Sequence, residues 1–294
     1  MVAVAFVVHP ERPRAAAIAE RASDWLSAHG HSAATVVTDV DHSHVDGENV
    51  PVRAQVNTPY IRGPIDLAVS LGGDGTMLRT IAATLSGGIP VLGVKLGDLG
   101  YLTEVDPDAL ETALERFISG DYRIEERMTL DVQVDRSQST TSSDDETYMV
   151  VNEAVVEKTV PGHTIRVAAS VAGKPFVTYA ADGLLVATPT GSTAYNLSAR
   201  GPIVSPQLHA LVLTPVSPHM LFDRPLVLAP EEWLRLEVAE PRPALAVLDG
   251  ECVTTLEPGD ALVCRSGKVA ARLVTFGPRD FHTILRARFH LADR

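Results

Sequence analysis

The sequence predicts a two-domain protein, an α/β domain built on a parallel sheet followed by an all-β domain of two packed antiparallel sheets. Two observations predict this. Short apolar runs alternate with helical patterns over the first 120 residues, and period-two alternation replaces them after residue 125. A length of 294 residues suits two domains of ordinary size.

The elements follow in order. Residues 2–8 form an apolar strand, and 13–28 a helix with Ile18, Ala22, Trp25 and Leu26 on one face and Gly30 beyond its end. Further strands are expected near 33–37 and 65–71, then a helix from about 76 to 85 and a strand in "IPVLGV". "DPDALETALERFISG" is a capped helix ending at Gly120. This βαβα order implies a parallel sheet with helices on both faces. From residue 128 to 275, "MTLDVQV", "TIRVAAS" and "RLEVAE" alternate, and the one helical signal is a short stretch near 192–199. The polar, acidic tract "SQSTTSSDDET" reads as a hairpin tip, and "RDFHTILRARFH" as a helix returning to the first domain. The expected domains are 1–125, 126–275, and a tail of 276–294.

Composition narrows the function. A net charge of −12 with no basic run argues against nucleic acid or an anionic membrane as partner. An acidic protein that handles polyanions must gather its few cations locally or borrow Mg²⁺. Two cysteines, Cys252 and Cys264, are too few for a disulfide framework and suit a reducing cytoplasm. The opening "MVAVAFVVHP" lacks the basic start of a signal peptide, and no run reaches the roughly 18 apolar residues of a membrane span. The chain reads as soluble and cytoplasmic.

Gly72-Gly73-Asp74-Gly75 lies between a strand and a helix. Glycines permit positive φ and close approach of a ligand, and a helix N-terminus favours anions. The turn is neither a Walker loop nor a GxGxxG dinucleotide turn. Its aspartate is the odd feature, because phosphates repel carboxylates. Asp74 could merely cap the helix. It could instead stay ionised at the helix N-terminus and accept a proton from an attacking hydroxyl, or hold Mg²⁺ that neutralises phosphates. Those are phosphoryl-transfer roles, and three glycines are more than a cap requires. Some 115 residues later, "TPTGSTAYNLS" offers hydroxyls at Thr188, Thr190, Ser192, Thr193 and Ser198 and an aromatic face at Tyr195. These could line a pocket for sugar and base, or cap a short helix.

"GGDGT", "GVKLGDLGYLTEV", "NEAVV", "ADGLLVATPTGSTAYNLSARGPI" and "PHMLFDRPLV", in that order, resemble the bacterial NAD kinase family from about residue 65 to 285. The resemblance implies a Rossmann-like α/β domain, a β-sandwich, and a site in the cleft between them. It also implies transfer of the γ-phosphoryl of ATP, with Mg²⁺, to the 2′-hydroxyl of the adenosine ribose of NAD. By it, Asp74 is the proton acceptor with Gly75 beside it, and Asn152 and Glu153 hold the dinucleotide. Asp182 contacts the nicotinamide end, while Thr193, Ala194, Tyr195, Asn196, Leu197 and Ser198 surround the adenosine. Arg79 and His163 are placed to meet phosphate. The family implies a homodimer or homotetramer with a shared active site. Lys95, Ala180 and Arg200 depart from its usual residues, and Arg200 stands where a glycine is usual. Two alternatives remain: a dinucleotide-binding paralogue without efficient catalysis, and a GGDGT-type lipid kinase. The acidic "TDVDHSHVDGE", with His42 and His44, reads as a solvated loop rather than a metal site. Cys252 reads as a strand thiol, since acidic neighbours raise its pKa.

Overall fold

A computed structural model describes residues 1–9, 12–37, 64–97, 100–137, 147–239, 241–278 and 280–291. "TDVDHSHVDGE", and "SQSTTSSDDET" apart from its two end residues, lie outside the described residues. The chain folds as two compact units. One runs to Glu126 and resumes at Ala270, and the other spans Arg127–Val269.

In the first unit, β1 (Ala3–Val8), α1 (Pro13–Ala28), β2 (Ser32–Val37), β3 (Leu67–Gly72), α2 (Asp74–Thr84), β4 (Val91–Lys95), α3 (Leu110–Ile118) and β5 (Arg123–Arg127) follow in sequence. The sheet has the order β2-β1-β3-β4, then the Ala271–Thr275 strand, then β5. β1 pairs in parallel with β2 and β3, β3 with β4, and Ala271–Thr275 with β4. β3 is buried at all six residues, as a central strand covered on both faces must be. Helix α1 turns Ala15, Ile18, Ala19, Ala22 and Leu26 inward, with Pro13 in its first turn and Gly30 at φ +78° just past its end. Trp25 is half-buried and stacks on His29, centroids 4.2 Å apart. Helix α3 buries Leu110, Ala113, Leu114 and Phe117 into the same core.

Two boundaries differ from expectation. Helix α2 starts at Asp74 rather than Thr76, so the aspartate is its first residue. Ala271–Thr275 belongs to the parallel sheet, although its alternation reads equally well as a sandwich strand. The Phe281–Arg288 helix lies in the same unit, and the Asp280 carboxylate caps it by accepting the backbone N–H groups of His282 and Thr283.

The second unit contains β6 (Leu130–Asp135), β7 (Thr147–Val150), β8 (Glu153–Lys158), β9 (Ile165–Val171), β10 (Lys174–Ala181), β11 (Gly183–Ala187), the one-turn helix α4 (Tyr195–Ser198), β12 (Leu211–Val216), β13 (Leu226–Leu228), β14 (Leu234–Ala239), β15 (Ala244–Leu248), β16 (Glu251–Leu256) and β17 (Ala261–Ser266). They make two six-stranded sheets, β10-β9-β14-β17-β6-β7 and β13-β12-β11-β8-β15-β16. All the registered pairs in both are antiparallel. Alternate residues such as Leu130, Val132, Val167, Leu236 and Cys264 from one sheet meet Val156, Leu184, Val186, Leu213 and Leu248 from the other. Both cysteines are free, and burial pushes the Cys264 thiol up to about 12. Cys252 is half-buried on β16 with its thiol also raised by burial, as a strand thiol should be.

Among the described strands the chain passes between the two sheets six times, and two of these crossings lie beside β8. It crosses between β7 and β8 at Val151–Asn152, and between β10 and β11 at Asp182. A chain leaving one ladder for another strands its backbone polar groups, and those groups must find partners elsewhere. No helix among the described residues is long and apolar enough to cross a membrane.

Candidate active site

In the α/β unit, the strand-to-helix turn does not use its glycines for positive φ. Gly72, Gly73 and Gly75 are all absent from the residues in that region. A Cβ at Gly72 would stand 2.3 Å from Thr76 Oγ1, so the strand and helix meet only because that position is bare. Among the described residues, nothing lies within 4 Å of where a Cβ at Gly73 or Gly75 would be, which leaves their backbone open to a ligand.

Asp74 does not cap α2. It occupies the first helical position, and the capping position, Gly73, has no side chain to offer. Its carboxylate instead reaches a loop beyond β4. Oδ2 accepts the backbone N–H of Tyr101 at 2.9 Å, and Oδ1 accepts that of Leu102 at 3.1 Å. A carboxylate has about four acceptor positions, and the described residues fill two of them, so roughly two remain for a hydroxyl or a cation. The loop is itself clamped to β4. Glu104 and Val105 donate to the Gly93 carbonyl, and Lys95 donates to that of Val105. The helix dipole and two N–H donors thus surround an anionic oxygen pair held in one orientation. Arg79, half-buried, lies five residues along the same helix. Lys95 pairs with Asp106 at 3.1 Å.

In the β unit, the two sheet crossings frame strand β8. Asn152 and Glu153 enter at one end, and Lys158 leaves at the other, where its ammonium pairs with Asp182 at 2.8 Å. Glu153, Val155 and Glu157 share one face of β8. Tyr195 lies along that face. Its backbone lies by the Glu153 carboxylate, its side chain packs against the cluster that includes Val155, and its hydroxyl is 3.5 Å from Glu157 Oε1. Burial, with the charges of Glu157, Asp182 and Glu153 around it, pushes the Tyr195 phenol up. Asn152 and Glu153 thus lie at one end of β8 and Asp182 at the other, with Tyr195 along the strand between them.

Glu153 is 5% exposed, and one of its carboxylate oxygens has no partner among the described residues. Burial first, and the nearby Asp249 charge second, push it up to about 8, so near neutral pH it carries a proton and can donate a hydrogen bond.

The "TPTGSTAYNLS" hydroxyls divide into two groups. Thr188 and Ser192 are fully buried and bonded inward, the first to the Val151 carbonyl at 2.6 Å and the second to that of Pro189 at 2.6 Å. They build the loop instead of lining a pocket. A Cβ at Gly191 would lie 2.1 Å from the Asn152 carbonyl oxygen, so this loop and the Asn-Glu segment touch backbone to backbone. Thr193, Ala194 and Leu197 are half-buried and Ser198 is exposed. Asn196 departs from its expected role as an adenosine contact. It is fully buried, with Nδ2 donating to the Ser192 and Pro202 carbonyls and Oδ1 accepting from Thr214. Both amide hydrogens are spent inside the fold, which leaves Asn196 holding α4 in place. His163 sits exposed in the turn after Val160.

Sequence reasoning missed Asp249, whose carboxylate receives the backbone N–H groups of Val151, Asn152 and Glu153. The Asp-Gly pair between two alternating runs signals a hairpin turn, but not what the carboxylate reaches. Among the described residues, no group of three or more His, Cys, Asp or Glu side chains could hold a metal ion.

Residues 4–122 match the ATP-NAD kinase N-terminal domain, and residues 151–276 the ATP-NAD kinase C-terminal domain. The NAD kinase of Heliobacterium modesticaldum is 43% identical over 289 residues, 98% of each chain. That of Geobacter metallireducens is 42% identical over 246 residues, 82% of this chain and 84% of its own. Among solved structures, yeast NADH kinase complexed with NADH aligns with a TM-score of 0.80 at 24% identity, over 100% of this chain and 89% of that one. An Archaeoglobus fulgidus NAD kinase in complex with ATP aligns at 0.72 and 22% identity, over 97% and 99%. At such identities the two structures speak for the fold, while the family models and the closer sequences speak for descent. The chain belongs to the NAD kinase family.

Proposed function

We propose that this protein transfers the γ-phosphoryl group of ATP to the 2′-hydroxyl of the adenosine ribose of NAD, giving NADP and ADP. The observation that carries the reading is the Asp74 carboxylate, fixed at the N-terminus of α2 by two backbone N–H groups and still able to accept. Asp74 takes the proton from the 2′-hydroxyl as that oxygen attacks the γ-phosphorus. The bond from the γ-phosphorus to the bridging oxygen breaks, and ADP leaves with its electron pair. The open backbone at Gly73 and Gly75 lets phosphate oxygens approach the helix N-terminus. Arg79 and His163 are assigned to phosphate.

Mg²⁺ is the expected companion of ATP, and it neutralises phosphate charge when bound. It usually keeps several waters and takes only one or two protein carboxylates, so the free acceptor positions of Asp74 fit it without a dedicated cluster. Asn152, Glu153, Thr193, Ala194, Tyr195 and Ser198 are assigned to the adenosine half of the dinucleotide, and Asp182 to the nicotinamide end. We place the enzyme in the cytoplasm as a homodimer or homotetramer, measurable by light scattering as twice or four times 31.4 kDa. Incubation with ATP-Mg²⁺ and NAD, read by an NADP-specific dehydrogenase, tests the reaction. NADP formation supports it. NAD binding without NADP would make the protein a dinucleotide-binding relative and overturn it.

A further inference from the structure

We propose that Asp249 is a positioning residue for the dinucleotide, fixing the Asn152–Glu153 segment through its backbone. The proposal rests on the reading that Asn152 and Glu153 hold NAD. At Val151–Asn152 the chain leaves the sheet of β7 for that of β8, so its N–H groups have no ladder to join. Asp249 supplies the missing acceptors. Its Oδ2 accepts from Val151 at 2.9 Å, and its Oδ1 accepts from Asn152 at 2.7 Å and from Glu153 at 3.3 Å. Its own N–H returns a bond to the Glu153 carbonyl at 3.0 Å. Thr188 takes the remaining carbonyls, Val151 through its hydroxyl and Asn152 through its N–H at 2.9 Å. Every backbone polar group from Val151 to Glu153 is thereby matched, and half-matched sites of this kind are costly.

Asp249 is held in turn by its own backbone. With Gly250 it forms a two-residue hairpin turn between β15 and β16, both residues at positive φ, +48° and +85°. Aspartate and asparagine tolerate that conformation where most residues do not, so the turn points one specific carboxylate at the crossing. Asp249 is half-buried, and burial of its carboxylate pushes it up to about 6 despite the three donors. Such a group does not remain in a protein cheaply. Its effect here is to hold the Asn152–Glu153 segment against the "TPTGSTAY" loop.

Asp249→Asn tests this, because asparagine keeps the turn but cannot serve all three donors. Whichever way the amide lies, its NH₂ group faces at least one backbone N–H. The expected result is a KM for NAD raised about 10- to 100-fold, with kcat and the KM for ATP within roughly threefold of wild type. Gly250→Ala strains the same turn without removing the carboxylate, and should leave the KM for NAD unchanged. An unaltered KM for NAD in Asp249→Asn would overturn the proposal. So would an equal loss in both variants that tracks their melting temperatures, which would mark a structural role alone. If the wild-type protein makes no NADP, the proposed reaction fails, and calorimetric NAD affinity of the same two variants still decides the role of Asp249.

Discussion

Asp74 and Gly100 are in such close contact that position 100 has no room for a side chain. A Cβ there would stand 2.2 Å from Asp74 Oδ1 and 2.8 Å from Thr103 Oγ1. The next two residues donate the N–H groups that hold the carboxylate. Gly100→Ala must therefore push either the loop or the carboxylate aside. A misplacement of about 1 Å can cost on the order of 10²-fold in rate, so kcat should fall by roughly that factor while NAD affinity, measured by calorimetry, stays near wild type. An alanine variant with normal kcat would show that Asp74 needs no such placement.

Asp74→Asn separates proton acceptance from shape. The amide can keep one of the two backbone donors but cannot accept a proton, so turnover should drop by roughly 10²–10⁴-fold. NAD affinity should change little. A helix-capping role predicts near-normal turnover, because asparagine caps about as well as aspartate. The geometry already disfavours that role, with Asp74 inside the helix and bonded 27 residues away. Steady-state kcat and NAD Kd on the one variant decide the matter.

What the sequence made legible followed local physics. The inward face of α1 and the alternation of β6, β9 and β14 are periodic signals, and the structure realises them. The glycine turn was legible as a candidate site, but for partly the wrong reason. Its glycines answer to Thr76 and to open space, not to positive φ. What stayed hidden depends on distant contacts. Nothing near Asn196 says that its partner is Thr214, or that Ser192 and Thr188 turn inward. Asp249 meets Val151 from 98 residues away, a distance no periodicity spans.

Arg200 stands at φ +65°, the left-handed position that ends α4. Its N–H donates to the Leu197 carbonyl, and the Gly201 N–H donates to that of Asn196, the paired bonds of a Schellman ending. Glycine is the usual residue there, and a left-handed conformation costs others about 1–2 kcal/mol. Gly201 beside it has to stay bare, since a Cβ at that position would lie 1.9 Å from Asn196 Oδ1. Arg200→Gly should stabilise the protein by about 1 kcal/mol, net of the added chain freedom. Thermal unfolding should move up by about 2–4 °C. A lower melting temperature would mean that the Arg200 side chain makes up for its backbone.

Glu153 sets a pH dependence of stability with a definite sign. Its folded pKa of about 8 lies above the ordinary 4.5, because burial and the Asp249 charge disfavour ionisation. Asp249, at about 6 against 3.8, shifts in the same direction. Between these limits the folded protein binds more protons than the unfolded chain, so raising the pH favours unfolding. The stabilisation is complete below about pH 4 and is lost as pH rises through 6 and then 8. Glu153 alone can contribute a slope of up to about 1.4 kcal/mol per pH unit across that window. Glu153→Gln keeps the shape and removes the ionisation, so its stability should fall less steeply than wild type between pH 5 and 8. Urea unfolding of both proteins at each pH unit measures the difference. Parallel curves would mean that Glu153 ionises freely in the folded state. In that case it could not donate a hydrogen bond to NAD at neutral pH, and the KM for NAD should then show no rise as the pH passes 8.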